Sequence, residues 1–186
     1  MRALALRASA LDGNGAEANA PTYESNGDRR VRRTLNALQA LPFWSYAQRA
    51  FILRRMGVEL GPKTLVDQGC HFGPGKVSIG DETYVGIGCF FDAEGGVSIG
   101  ARCAIGHRTN FVTSVHAMGQ RNQRAIGLTY APVTVEDGCW LATEVLILPG
   151  VTIARGCAIG ARAVVTKSTE PDGLYLGSPA RRVRDL

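Results

Sequence analysis

A repeat of six residues dominates the second half of the chain. Aliphatic side chains recur at every sixth position, at Val135, Leu141, Ile147, Ile153, Ile159 and Val165. A small or β-branched residue follows four places after each of the first five, at Cys139, Val145, Val151, Cys157 and Ala163. A period of six fits neither an α-helix nor a lone amphipathic strand. It predicts a parallel β-helix, in which the chain turns a corner every six residues and three hexapeptides close one triangular coil.

The same register continues upstream with two interruptions. Inward positions are predicted at Leu60, Val66, Phe72, Ile79, Val85, Phe91, Ile99, Ile105 and Phe111. One residue is inserted in the first interruption and two in the second, and both lie beside Gly-rich stretches that suit bulged corners. The pattern predicts an all-β domain of about five coils over residues 58–169. The register is lost after Phe111 and resumes at Val135, so residues 117–131 are predicted to form one extruded loop, and loops of this length are commonly functional.

The segments on either side of the repeat have different compositions. Residues 1–27 are rich in Ala, Gly, Asn and Ser and are predicted to be a mobile tail. Residues 28–57 are predicted to form two helical pieces, with Asp28 as the first N-cap and Pro42 as the interruption. The bases are concentrated there, because residues 29–56 contain seven Arg and no acid. This segment is interpreted either as a cap over the open first coil or as a contact with a membrane surface. Residues 170–186 are predicted to be a C-terminal tail.

Composition and charge exclude several classes of function. Without the seven Arg of the helical segment the chain has 14 basic and 16 acidic residues, so no nucleic-acid footprint is predicted along the β-helix. No apolar run reaches the roughly 18–20 residues of a transmembrane helix, and the Arg-interrupted start is a poor secretory signal. A cytoplasmic location is therefore predicted.

The five cysteines all fall in the small-residue slot of the repeat, at Cys70, Cys89, Cys103, Cys139 and Cys157. Their number is odd and no CxxC pair occurs, so neither a disulfide framework nor a metal site is predicted. They are interpreted as small core residues.

Five stretches carry a resemblance to a known family. They are Thr113–His116, Gly138–Ala142, Ile147–Ile153, Ile159–Lys167 and Gly177–Arg181. With these motifs, residues 58–186 resemble the left-handed β-helix acyltransferases, particularly the galactoside, maltose and polysaccharide O-acetyltransferase branch. The resemblance implies a homotrimer that transfers acetyl from acetyl-CoA, bound in a groove between adjacent prisms, to a hydroxyl of a sugar or sugar-like acceptor.

His116 is the candidate catalytic residue. It lies five places after Phe111, at an outward position where the repeat breaks, and it matches the family's catalytic histidine. Direct transfer needs a base that titrates near neutrality to take the proton of the attacking hydroxyl, and imidazole suits this role. His71 and His107 are interpreted as surface residues.

The resemblance also implies contacts for the cofactor and the acceptor. The positions that match cofactor contacts are Thr143, Ala161, Thr166, Lys167, Arg181 and Arg184, and the three cations would supply donors for CoA phosphates. Asp92, Trp140 and Arg124 are the candidates for acceptor binding. Gly86 stands where sugar acetyltransferases of this branch often carry Asn, a departure that argues against a simple galactoside or maltose acceptor.

Two other enzyme functions compete with O-acetylation. N-acylation of an amino sugar would use the same fold and donor. A γ-class carbonic anhydrase would need three His converging on zinc, whereas His107 and His116 are nine residues apart and are predicted on different corners. A structural or ice-binding β-helix would show a flat, repeated Thr face and no extruded loop.

Overall fold

The computed structural model describes residues 26–186, and their side chains from residue 27 onward. Residues 1–25, most of the predicted tail, lie outside the described residues. In chain order the elements are α1 (Asn26–Gln39), α2 (Tyr46–Arg55), β1 (Glu59–Leu60), β2 (Leu65–Val66), β3 (His71–Phe72), β4 (Val77–Ile79), β5 (Tyr84–Val85), β6 (Phe90–Asp92), β7 (Val97–Ile99), β8 (Ala104–Ile105), β9 (Asn110–Val112), β10 (Ser114–Met118), β11 (Ala125–Tyr130), β12 (Val133–Val135), β13 (Trp140–Leu141), β14 (Leu146–Ile147), β15 (Thr152–Ile153), β16 (Ala158–Ile159), β17 (Val164–Val165), β18 (Gly173–Leu176) and β19 (Arg181–Asp185).

Three parallel sheets form the faces of a triangular prism. Face A contains β1, β4, β7, β12 and β15; face B contains β2, β5, β8, β13 and β16; face C contains β3, β6, β9, β14 and β17. Strand β18 continues face B and begins a sixth turn, and β19 pairs antiparallel with it. The predicted parallel β-helix of about five coils is confirmed. Below, edges AB, BC and CA are the corners at which the chain passes from one face to the next.

The inward positions of the repeat form a continuous core. Phe72, Phe91 and Phe111 are fully buried on face C, and their rings stack with centroids 4.6 and 4.7 Å apart. Burial of one such side chain contributes about 1.5–3 kcal/mol, and an aromatic pair adds about 0.5–1.5 kcal/mol. The six-residue period therefore reports correctly which side chains enter the prism.

The small-residue slots also make hydrogen bonds between coils. Thr64 Oγ1 donates to the carbonyl of Gly80 on the next coil at 2.7 Å. Cysteine acts in the same way, since Cys139 Sγ donates to the carbonyl of Ala154 at 3.2 Å. All five cysteines are free and buried. These thiols are therefore donors at the corners as well as small core residues.

The two helices cover the open edge of the first coil. The side chain of Asn36 pairs with both backbone groups of Phe72, accepting from its N–H at 2.9 Å and donating to its carbonyl at 2.8 Å. Gln39 donates to the carbonyl of Cys70, and the buried guanidinium of Arg49 donates to the carbonyl of Val66. The predicted N-terminal cap is present, and side chains do the work of a neighbouring strand at this edge.

The helix boundaries differ from the prediction. Helix α1 begins at Asn26, so Asp28 lies in its first turn rather than at the N-cap. A carboxylate in the first turn still stabilises the helix through its dipole. Helix α2 begins after Ser45, which forms a capping box with Gln48. Among the described residues no helix is both long and apolar enough to cross a bilayer.

The extruded segment is an antiparallel hairpin. Strands β10 and β11 pair from Ser114 with Tyr130 to Met118 with Ala125. The hairpin therefore begins three residues before the predicted loop of residues 117–131, and His116 lies inside it. It leaves the prism at edge CA, between β9 and β12.

Candidate active site

His116 is fixed by a hydrogen bond across the hairpin. Its side chain is exposed, and Nδ1 lies 2.8 Å from the carbonyl oxygen of Gly127. A carbonyl oxygen can only accept, so Nδ1 carries the hydrogen of this bond. In the neutral ring Nε2 is then the nitrogen with a free lone pair, as a general base requires.

A bulge in β11 creates the acceptor for that bond. His116 pairs with Leu128 and Ala117 pairs with Ile126, which leaves Gly127 without a cross-strand partner. Gly127 has φ of +51°, in the left-handed region that side chains disfavour. The local sequence thus matches the conformation that directs this carbonyl to the imidazole.

The base of the hairpin is tied to the bulged corner after β6. Asp92 Oδ2 accepts from the N–H groups of Thr113 and Ser114, at 3.2 and 3.1 Å, and from Ser114 Oγ at 2.7 Å. Burial raises the pKa of the nearby Glu94 carboxyl, and its hydrogen bond with Asp92 and the charge of Asp92 raise it further. Desolvation, followed by the charges of Glu94 and Asp92, raises the pKa of Tyr130. These groups form one polar cluster at the base of the hairpin.

The predicted site residues divide between two edges of the prism. Asp92, His116, Thr166 and Lys167 lie along edge CA, whereas Thr143 and Ala161 are stacked on successive coils of edge BC. The backbone carbonyl of Thr143 accepts from the N–H of Arg162, one residue beyond Ala161, at 2.9 Å. Within a single copy, four of the predicted residues therefore lie along edge CA and two along edge BC, and the two groups are not brought together.

The other predicted residues lie on face B or at the turn of the hairpin. Trp140 projects outward from β13 on face B and is 60% exposed, so it does not adjoin the hairpin of its own chain. Arg124 lies at the hairpin turn, where its guanidinium donates to the carbonyl of Gly119 at 3.4 Å. Arg181 and Arg184 are exposed on β19, at the C-terminal end of face B.

The two remaining histidines are exposed, as predicted for surface residues, and each has a partner. His71 stacks on Phe90, and burial lowers its pKa. His107 Nδ1 accepts from the N–H of Ile87 at 2.9 Å, and a Cβ at Gly86 would approach this nitrogen to 2.7 Å. The His107 ring thus occupies the space that a side chain at position 86 would need. Within the described residues no group of three or more His, Cys, Asp or Glu side chains is arranged to hold a metal ion.

Comparison with known proteins assigns the family. No protein-family model matches the chain. A colanic acid biosynthesis acetyltransferase of Escherichia coli (strain K12), WcaF, is 32% identical over 155 residues, which cover 80% of this chain and 84% of the relative. A hexapeptide-repeat-containing acetyltransferase of Vibrio cholerae O1 biovar eltor, in complex with acetyl-CoA, is similar with a TM-score of 0.77 at 29% identity, covering 93% of this chain and 92% of the other. The chain belongs to the hexapeptide-repeat acetyltransferase family.

A third similarity concerns the fold of this hexapeptide-repeat acetyltransferase. A maltose O-acetyltransferase of Clostridium difficile 630 has a TM-score of 0.67 at 24% identity, covering 86% of this chain and 87% of the other.

Some residues of the hexapeptide-repeat acetyltransferase site were not predicted from sequence. Gly127 acts through its backbone carbonyl and Ser114 through its N–H and hydroxyl, and the segment around them has no six-residue period. Glu94 lies in the two-residue insertion after Phe91, which marked a bulged corner without indicating its contacts.

Proposed function

We propose that this protein transfers the acetyl group of acetyl-CoA to a hydroxyl of a saccharide-type acceptor, with His116 as general base. The bond from Nδ1 to the Gly127 carbonyl carries the proposal, because it leaves Nε2 to accept a proton. The acceptor hydroxyl gives its proton to Nε2 as its oxygen attacks the thioester carbon. The carbon–sulfur bond then breaks, and the departing thiolate of CoA takes the proton from Nε2, which returns the imidazole to its neutral form.

The assignment of acetyl-CoA as donor is supported by family membership and by the complex of the V. cholerae protein. Lys167, Arg181 and Arg184 are exposed cations suited to the phosphates of CoA. Thr143 and Ala161 lie one above the other on edge BC, a spacing that suits backbone contacts with an extended pantetheine arm.

A homotrimer would complete the site. The predicted residues on edges CA and BC would meet where edge CA of one copy faces edge BC of the next, and a closed threefold ring would give every copy both contacts. The hairpin also needs cover, since Val115, Met118, Ile126 and Leu128 are exposed and an isolated two-stranded hairpin is marginally stable in water. A monomeric mass by light scattering at micromolar concentration would contradict this assembly.

The acceptor class is supported by one relative, the colanic acid biosynthesis acetyltransferase WcaF. Trp140 and Arg124 stay predictions for acceptor contact, and Trp140 would reach the reaction only from a neighbouring copy. Asp92 was predicted to bind an acceptor hydroxyl. Because three hairpin donors occupy its Oδ2, such a contact would fall to Oδ1. A cytoplasmic location also stays a prediction.

The function is tested with labelled acetyl-CoA and a panel of saccharides and natural-product alcohols. His116→Ala should lower kcat by roughly 10²–10⁴-fold, the usual contribution of positioned proton transfer. Acetyl-CoA affinity and assembly should persist, because the side chain is exposed and supports no core. His71→Ala is the matched control and should retain transfer. Activity of His116→Ala within a few-fold of wild type would refute the assignment.

The cap surface supports a weaker proposal, contact with an anionic membrane surface through residues 29–56. Phe43 and Phe51 are 69% and 63% exposed, Arg54 and Arg55 are exposed on α2, and the guanidinium of Arg55 lies 5.6 Å from the centroid of the Phe51 ring. Exposed aromatics with basic neighbours suit an anionic lipid interface. The protein should then sediment with phosphatidylglycerol vesicles more than with phosphatidylcholine vesicles, and Phe51→Ser should weaken this. Equal sedimentation with both at low salt would refute the contact.

A further inference from the structure

The carboxylate of Asp92 sits where the hairpin departs from the prism. One of its oxygens receives three donors from two consecutive residues, Thr113 and Ser114. Thr113 Oγ1 in turn donates to the backbone carbonyl of Asp92 and accepts from the N–H of Gly95 at 2.9 Å. The first strand of the hairpin is thus tied to the corner after β6 through both side chain and backbone.

The returning strand meets the same corner. A Cβ at Gly95 would come within 3.0 Å of the backbone of Ala131, so the two segments are in close contact. The N–H of Ala131 donates to the carbonyl of Thr113 at 2.9 Å. Both strands of the hairpin are therefore held at one place, and the remainder projects outward.

His116 lies two residues beyond this anchor. Pairing is regular from Ser114 to His116, so their side chains project from the same face of the hairpin. The direction in which β10 leaves the corner therefore sets the position of the imidazole. The bond to Gly127 fixes the ring within the hairpin but not the hairpin against the prism.

We propose that Asp92 is a positioning residue for His116, acting through the hairpin base rather than by contact with acceptor or cofactor. The proposal rests on the proposed function of His116. The three hydrogen bonds that Asp92 accepts fix the first strand of the hairpin relative to the adjacent coil. They thereby fix the distance from Nε2 of His116 to the acceptor hydroxyl. A displacement of about 1 Å in such a geometry can lower a rate roughly 10²-fold.

A double-mutant cycle tests this. Asp92→Ala should lower kcat by about 10- to 100-fold and leave the KM values for acetyl-CoA and acceptor within about twofold. In the His116→Ala background the same substitution should change nothing further, because the group it positions is gone. Asp92→Asn keeps an oxygen that can accept from the two N–H groups and should recover much of the lost kcat.

Asp137→Ala is the matched control. Asp137 is also an edge carboxylate that accepts a backbone N–H, that of Ala101 at 2.8 Å, but it lies on edge AB. Amide hydrogen exchange of residues 114–118 should accelerate in Asp92→Ala and not in Asp137→Ala. If Asp92→Ala does not fold, Ser114→Ala, which removes only the 2.7 Å hydroxyl bond, takes its place in the cycle with a smaller loss.

The outcomes separate the two proposals. If Asp92→Ala lowers kcat by the same factor with and without His116, or raises the acceptor KM at constant kcat, the positioning role of Asp92 is overturned. Unchanged activity of His116→Ala alone would instead overturn the proposed function.

Discussion

One methyl group at position 127 should disturb the site without disturbing the core. A Cβ on Gly127 meets nothing within 4 Å, so alanine encounters no steric obstacle. The penalty lies in the backbone, since the left-handed conformation costs an L residue roughly 1–2 kcal/mol. Seven residues with side chains adopt this conformation at edges of the prism, Lys63 among them, where the coil geometry fixes the backbone. At the bulge, only the pairing of the two hairpin strands keeps the backbone of residue 127 in the left-handed conformation.

That penalty sets the expected effect. If the bulge relaxes, the conformer that offers its carbonyl to His116 becomes less populated by about 5- to 30-fold. Gly127→Ala should therefore lower kcat by up to that factor and leave the KM for acetyl-CoA unchanged. The melting temperature should move by only about 2–8 °C, because 1 kcal/mol shifts a domain of this size by about 2–4 °C.

Gly57→Ala is the matched control for this prediction. Gly57 also has a positive φ, +87°, and open space around its Cβ, but it follows α2 beside the first coil. It should show a similar shift of melting temperature with wild-type kcat. CoA release and thermal unfolding measure both quantities. A kcat for Gly127→Ala within twofold of that for Gly57→Ala would refute the role of the carbonyl.

Three further predictions concern the cofactor, the corners and the edge charges. Lys167→Ala should raise the KM for acetyl-CoA with little change in kcat; a kcat loss at constant KM in CoA-release assays would contradict the assignment. Cys139→Thr should keep transfer and fold, because threonine donates from the equivalent slot in the first two coils; a melting temperature lowered by more than about 5 °C would contradict this. Hydrogen bonds from Arg162 and Arg108 hold the pKa of Glu144 below its ordinary value. The resulting stabilisation is present above that ordinary value and is lost as the pH falls through the lowered one. Glu144→Gln should therefore melt below wild type at about pH 7, and this difference in melting temperature should shrink as the pH is lowered below the ordinary value; a difference that stays constant on acidification would contradict the assignment.

The repeat made the prism predictable because its period reports a physical constraint. Phe91 and Phe111 are inward because each coil returns a residue to the same place, and the predicted register holds across both insertions. The exposure of His116 agrees with the same counting, but the residue lies inside the hairpin rather than at a corner of a regular coil.

The remainder depends on contacts between segments that have no common period. The hydrogen bond between Asp92 and Ser114 joins residues 22 apart in the sequence. Between them lies the two-residue insertion, whose backbone path the repeat does not predict. The predicted start of the hairpin is too late, because the sequence at Thr113 and Ser114 is equally compatible with the end of a coil and with the start of a hairpin. Gly86 appeared as an isolated departure until the His107 ring was found in the adjacent space.

The pairing of Asn36 with Phe72 has a consequence for assembly. A β-helix adds coils in the way that a polymer adds subunits, and a bare first coil would accept another chain's strands as readily as its own. The amide side chain of Asn36 on α1 hydrogen-bonds both the N–H and the carbonyl of Phe72, so these groups are not available to pair with a strand of another chain. Without that amide, the same repeat that builds a discrete prism would have a site for end-to-end growth into fibres.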